Sequence, residues 1–140
     1  MVQHNFEIVD VAEILAFRQA MLWPDKPLSH VKVAGDETAI HICLRHNDAI
    51  IAAGSFFPTG SNAQLRKLAV SADLRGQGVG KALISFGADC LAQRGVRHLW
   101  CDARATAVGF YESLGFQVDP SVYLKSDVAY RKASRALDFG

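Results

Sequence analysis

The chain has 140 residues, 50% of them hydrophobic and 21% charged, and 15 Lys and Arg against 14 Asp and Glu leave a formal charge of +1. A chain of this length buries roughly two-thirds of its unfolded surface, so a single domain over 1–140 is expected, with no need of disulfides or metals to hold its core. The composition excludes a disordered chain, no apolar run approaches the ~20 residues of a membrane span, and near-neutrality gives no basis for general nucleic-acid binding.

Residues 1–10 show no basic region followed by an apolar stretch, so no secretory leader is expected. Residues 5–9 alternate weakly and read as a strand. Asp10 followed by Glu13 resembles an acidic capping box, and Val11, Ile14, Leu15 and Leu22 repeat at helical spacing, which predicts an amphipathic helix over 11–22. Pro24 and Pro27 end it, and 23–38 is a connection. Strands are predicted over 38–45 and 49–57, joined by His46-Asn47-Asp48 as an antiparallel hairpin. A loop at 58–62 precedes a strand over 63–70. Its parity is broken: Leu68 and Val70 share one face while Leu65 falls on the other, so a bulge is expected near Arg66-Lys67.

From 78 to 94 the pattern is helical, with Val79, Ala82, Leu83, Phe86, Cys90 and Leu91 on one stripe and Gly95 as the stop. Residues 98–103 read as a strand that alternates Leu99, Cys101 and Ala103 with Trp100 and Asp102. Thr106 is the expected cap of a short helix to Leu114, closed by Gly115 and Phe116. One or two strands follow within 116–131. The order strand, helix, strand from 63 to 103 is a crossover unit, so those two strands are expected to run parallel.

Cys43, Cys90 and Cys101 are odd in number and form no C-x-x-C pair, so reduced thiols in a cytoplasmic protein are expected, with all three acting as small hydrophobes and no metal bound. The most informative stretch is Arg75-Gly76-Gln77-Gly78-Val79-Gly80-Lys81, between a predicted strand and a predicted helix. Glycines permit a tight turn and close backbone approach, and a helix start offers unpaired N–H groups and partial positive charge. Arg75 and Lys81 add two cations, so the turn suits phosphate. It is not a P-loop, which would need Gly at 75 and a hydroxyl at 82. It is not a dinucleotide fingerprint, which would need Gly at 81 or 83.

The run Leu68-Ala69-Val70-Ser71-Ala72-Asp73-Leu74-Arg75-Gly76-Gln77-Gly78-Val79-Gly80-Lys81-Ala82-Leu83 resembles the acetyl-CoA-binding motif of the GNAT superfamily of N-acetyltransferases. A second match follows at the expected distance, Ala107-Val108-Gly109-Phe110-Tyr111-Glu112-Ser113-Leu114-Gly115-Phe116. The resemblance implies a mixed α/β fold of GNAT type: a central, mostly antiparallel sheet with one parallel, splayed strand pair, flanked by helices. It implies that the main chain of Leu68, Ala69 and Val70 bonds the pantetheine arm. The turn Arg75, Gly76, Gln77, Gly78, Val79, Gly80 and Lys81 would cradle the pyrophosphate, with Arg104, Ala107 and Phe110 also on the cofactor. Tyr111 would protonate the departing CoA thiolate; phenol and thiol have ordinary pKa values of ~10 and ~8.5, near enough for proton transfer.

The chain departs from the family pattern in two places. Many members have Asn where Arg104 stands here. Many carry a Glu base on the strand equivalent to 63–70, which holds no carboxylate in this sequence. Asp102 and His41 are the substitutes, with proton loss through water as the third route. An acyl-cysteine on Cys101 is a further mechanism, but nothing nearby in sequence would lower its pKa.

The resemblance thus implies acetyl transfer from acetyl-CoA to a primary amine of a small molecule or peptide, by direct attack in a ternary complex. A non-catalytic acyl-CoA-binding module is the alternative. The basic run Arg131-Lys132-Ala133-Ser134-Arg135 reads as a solvated terminus rather than a nucleic-acid site. No nucleic-acid or membrane partner is expected, and a homodimer is left open. Acceptor recognition falls to 18–34 and 117–131, where Arg18, Trp23, His30 and Tyr123 are the candidates.

Overall fold

The structure, a computed structural model, describes residues 5–137; the first four residues of the stretch searched for a leader lie outside them, as do the last three of the expected domain. The chain forms β1 (Phe6–Val9), α1 (Val11–Leu22), β2 (Ile40–His46), β3 (Ala49–Thr59) and β4 (Asn62–Val70) in its first half. The second half adds α2 (Val79–Gln93), β5 (His98–Arg104), α3 (Val108–Ser113), β6 (Gln117–Val118), β7 (Tyr123–Lys125) and β8 (Val128–Ala136). Among the described residues the strands make one eight-stranded sheet in the order β1-β2-β3-β4-β5-β8-β6, with β7 also on β8. Every pairing is antiparallel except β4 with β5. The mixed sheet with one parallel pair and flanking helices is the architecture the two motifs implied.

Local chemistry explains the joints. Asn47 and Asp48 both take left-handed backbone between β2 and β3, with φ 51 and 67, which is the two-residue turn that matches strand twist. Ser126 and Asp127 do the same between β7 and β8, with φ 49 and 65. Gly115, at φ 86, closes α3: its N–H bonds the Glu112 carbonyl at 3.0 Å, and the Phe116 N–H bonds that of Tyr111 at 3.1 Å.

The core has two parts because helices cover both faces of the central strands. Ile42, Leu44, Phe56, Leu83, Ile84, Leu91 and Leu99 meet under α2. Ile14, Cys43 and Ala53 meet under α1. Helix α2 comes close because Gly87 faces Phe56; a Cβ at that position would overlap the phenyl ring.

Several expectations need correction. Asp10 makes no side-chain cap, and Glu13 bonds Arg45 at 2.7 Å instead. The stripe of α1 is not purely apolar, since Arg18 is buried on it. The loop expected at 58–62 shrinks to Gly60 and Ser61, because β3 and β4 pair up to Thr59 and Asn62. Thr106 does not cap α3, which begins after a short 3-10 turn at Ala105–Ala107. Residues 116–131 hold strands β6, β7 and the start of β8. The basic run 131–135 is the body of β8, paired with β5 from Arg104–Tyr130 to His98–Ala136, and not a solvated terminus. Alternation in so charged a strand is masked because only Ala133 is fully buried within the run.

Candidate active site

The site begins with a mismatch in β4. Ala53 pairs with Ala69 and Ser55 with Arg66, so two residues, Lys67 and Leu68, stand opposite Gly54 alone. Lys67 takes left-handed backbone, φ 59. This is the bulge the parity break predicted, and it bends β4 away from its parallel neighbour. Pairing with β5 covers only Asn62, Ala63 and Gln64, opposite His98, Leu99 and Trp100. Beyond that point the two strands diverge. Beyond Gln64 the edge of β4 borders a cleft of about 930 Å³, and there the Val70 carbonyl accepts a bond from Arg75 Nε at 3.3 Å.

The cleft collects all but one of the residues that the resemblance placed on the cofactor, together with Asp102 and Tyr111. Leu68, Ala69 and Val70 form one wall. Arg75, Gly76, Gly78, Val79, Gly80 and Lys81 close its end at the start of α2. Asp102 and Arg104 come from β5, Ala107 from the 3-10 turn after it, and Phe110 and Tyr111 from α3. Gln77 is the exception: it is exposed, and its amide donates to the Asp73 carbonyl at 3.1 Å.

The turn has the geometry an anion requires. Gly76 and Gly78 sit at φ 80 and 81, and beyond each Cα lies open space. Gly78 is the N-cap of α2, and no side chain bonds the first amides of that helix. These residues and the exposed cations Arg75, Lys81 and Arg104 line one end of the cleft. The donor set fits a pyrophosphate, and the open strand edge fits an amide-bearing arm of a cofactor such as CoA.

Tyr111 is placed from two sides. Its ring packs edge-on against Phe110 and Phe116, with centroids 5.1 and 5.5 Å away. Its hydroxyl lies beside the Cys101 thiol. Burial, then the neighbouring sulfur, raises the phenol above its usual range. Cys101 is itself pushed up to about 12, mainly by burial. A thiol so reluctant to ionise is a poor nucleophile, which argues against the acyl-cysteine route. Cys43 and Cys90 are also raised by burial.

Asp102 lies in the cleft but its oxygens are occupied. Tyr123 donates to one and Lys125 to the other, the latter at 2.9 Å. Burial raises its pKa, but these two bonds and the charges of Lys125 and Lys132 outweigh it, so the carboxylate is held below its usual range. His41 does not reach the cleft. It is buried between the Ser55 hydroxyl and the Asp36 carbonyl, 2.7 Å from each, in a network with Arg18. Of the acceptor candidates, Trp23 lines the cleft and His30 packs edge-on against it at 5.3 Å. Arg18 is consumed by the network, and the Tyr123 hydroxyl donates to Asp102.

Sequence reasoning missed three cleft cations, Arg66, Lys67 and Lys125. The broken parity of β4 marked Lys67 as unusual, but only the bulge shows which way it faces. Among the described residues no cluster of His, Cys, Asp and Glu could hold a metal ion, and no helix is long and apolar enough to cross a membrane.

A family profile described as an acetyltransferase (GNAT) domain matches residues 37–118. The chain is similar to YitI of Bacillus subtilis, described as an uncharacterized N-acetyltransferase, with 28% identity over 118 residues, 78% of this chain and 79% of that one. Over 57 residues, 39% of this chain and 38% of the relative, it is 46% identical to the ribosomal protein bS18-alanine N-acetyltransferase of Escherichia coli K12. An aminoglycoside 6'-N-acetyltransferase solved with coenzyme A superposes at a TM-score of 0.80, covering 96% of this chain and 97% of that one at 14% identity, a likeness of fold.

Proposed function

The chain belongs to the GNAT acetyltransferase family and is an acyltransferase; we propose that its acyl donor is acetyl-CoA, and that the cleft between β4 and β5 is where it holds acetyl-CoA and acetylates a primary amine of a small molecule or peptide. The observation that carries this reading is the early end of the β4–β5 ladder at Gln64 and Trp100, with a glycine turn and a helix start at its mouth.

Acetyl-CoA supplies an activated thioester. The main-chain groups of Leu68, Ala69 and Val70 hold its pantetheine arm in the manner of an added strand, and their N–H groups polarise the thioester carbonyl. The amides from Gly76 to Lys81, with Arg75 and Lys81, hold the pyrophosphate, and Arg104, Ala107 and Phe110 shape the far wall. The amine's lone pair forms the new C–N bond, the C–S bond breaks, and the amine's proton leaves to water. Tyr111 gives its proton to the departing sulfur and recovers one from solvent. Asp102 is best suited to anchoring Tyr123 and Lys125, because a carboxylate held ionised by two donors is a weak base.

The single sheet that all the described strands share supports the reading of one domain. The free thiols suit a reducing compartment, and the cytoplasm is the expected one. Calorimetry tests the reading: the protein binds CoA, and Gly78→Trp abolishes binding while thermal unfolding remains cooperative. A folded wild-type sample with no affinity for CoA would overturn it.

A further inference from the structure

The half of the cleft away from the glycine turn carries more positive charge than the protein neutralises. Arg66 and Lys67 at the bulge and Lys125 of β7 face a single carboxylate, Asp102. Lys125 and Asp102 pair at 2.9 Å. Among the described residues Arg66 and Lys67 have no carboxylate within ion-pair distance. Both lie over aromatic rings instead, Arg66 at 5.9 Å from the Phe57 centroid and Lys67 at 4.3 Å from that of Trp23. The nearby carboxylate of Asp36 is already gripped by Arg18.

Lys67 is the least comfortable of these groups. It is half-buried and sits on left-handed backbone that a residue with a Cβ adopts at a cost. Burial, then the charges of Arg66, Arg18 and Lys125, hold its ammonium below the usual lysine range. A partly desolvated cation without a counter-ion is relieved by any anion that enters.

The same wall constrains the acceptor. A simple amine reaches the cleft mostly as an ammonium, which the uncompensated charges of Arg66 and Lys67 repel. A carboxylate on the same molecule reverses that sign. Once it is bound, positive surroundings favour the neutral, nucleophilic form of the amine. This would also lessen the need for the carboxylate base that β4 lacks.

Resting on the reading of this cleft as an acetyl-CoA and amine site, we propose that the acceptor is a small amino carboxylate, an α-amino acid with an apolar side chain. Its carboxylate is received by Lys67 and Arg66, and its side chain lies along Met21, Leu22 and Trp23.

The test uses pairs that differ only in this charge: L-leucine, L-methionine and L-phenylalanine against their amides. The amide's amine is the weaker base and so more fully deprotonated, which biases the comparison against the proposal. In the best-accepted pair the carboxylate exceeds its amide by about tenfold or more in kcat/KM, the size of one charge-assisted contact. Lys67→Met removes the preference and Lys67→Arg keeps it, while acetyl-CoA affinity stays within about threefold in both. Binding of N-acetyl-L-phenylalanine and its amide to the CoA-loaded protein by calorimetry gives the same order without turnover. Amides equal to or better than the acids, or a preference that survives Lys67→Met combined with Arg66→Gln, would overturn the acceptor assignment. If CoA itself fails to bind, the functional reading falls first; if CoA binds and the charge preference is missing, only the acceptor assignment falls.

Discussion

Arg18 holds both carboxylate oxygens of Asp36, at 3.0 and 3.2 Å, with both side chains closed off from solvent. The guanidinium also donates to the Val31 carbonyl and the Ser55 hydroxyl, each at 2.9 Å. One buried side chain of α1 thus ties the connection after it to β3. Breaking such a pair from one side strands a buried charge, which costs about 3–5 kcal/mol. Arg18→Met is expected to lower unfolding stability by that amount in urea titrations. Adding Asp36→Leu should recover part of the loss, and a single variant within about 1 kcal/mol of wild type would show the pair to be dispensable.

The same pair sets a pH dependence. Burial alone would raise the Asp36 pKa, but the Arg18 bond, the Val33 N–H and the charges of Arg18 and His41 bring it below the ordinary 3.8. A lowered folded-state value contributes stability that is fully present above the unfolded pKa and is lost as pH falls through the folded one. The wild type should therefore lose stability below about pH 4 more steeply than Asp36→Asn, measured by thermal melts between about pH 2 and 6. Parallel curves would mean that Asp36 titrates alike in both states.

Gly87 gives a prediction whose sign opposes the general trend. In an exposed helix interior, Gly→Ala stabilises by roughly 0.5–1 kcal/mol. Here the added methyl would overlap the Phe56 ring, which is fully buried. Gly87→Ala should destabilise by about 1–3 kcal/mol, seen as a lower urea midpoint at unchanged slope. A stabilised variant would mean that α2 does not pack as described.

How far the sequence revealed this can be judged residue by residue. The glycine turn and Tyr111 were legible because each sits in a dense local motif whose neighbours share its role. The bulge was legible because burial has a period of two in a strand, and Leu65 and Leu68 break it. The network of Arg18, Asp36, His41 and Ser55 was not legible, because its members are brought together across up to 37 positions of sequence. Arg18 was read instead as an acceptor-site candidate and His41 as a base candidate. Strand β8 was hidden because it alternates around small and charged residues, with the β5 ladder stabilising what propensity does not. The cleft cations were visible as letters only. Their convergence depends on the bulge and on the turn at Ser126 and Asp127, which brings Lys125 back over Tyr130 at 4.9 Å.

Tyr111 as the proton donor makes a two-part prediction. Tyr111→Phe should lower kcat by about a hundredfold with little change in acetyl-CoA affinity, since only the proton is removed and the ring contacts remain. The phenol is raised above the usual tyrosine value by burial and by Cys101. The wild type should thus show no alkaline fall in kcat from loss of this acid below about pH 10. An equal kcat in the two proteins would remove the role.

Asp102 separates a base from an anchor. A general base typically contributes about 10²–10⁴ in rate, and its loss would be felt at every pH. The carboxylate here is held ionised by Tyr123 and Lys125, so its affinity for a substrate proton is low. Asp102→Asn is expected to keep kcat within about tenfold while raising the acceptor KM, because the amide no longer fixes Lys125 by an ion pair. The acetyl-CoA KM should change less, since the ion pair that is lost holds Lys125, which belongs to the proposed acceptor wall. Steady-state kinetics in both substrates decide the matter. A fall of more than about a hundredfold in kcat with the acceptor KM unchanged would make Asp102 the base after all.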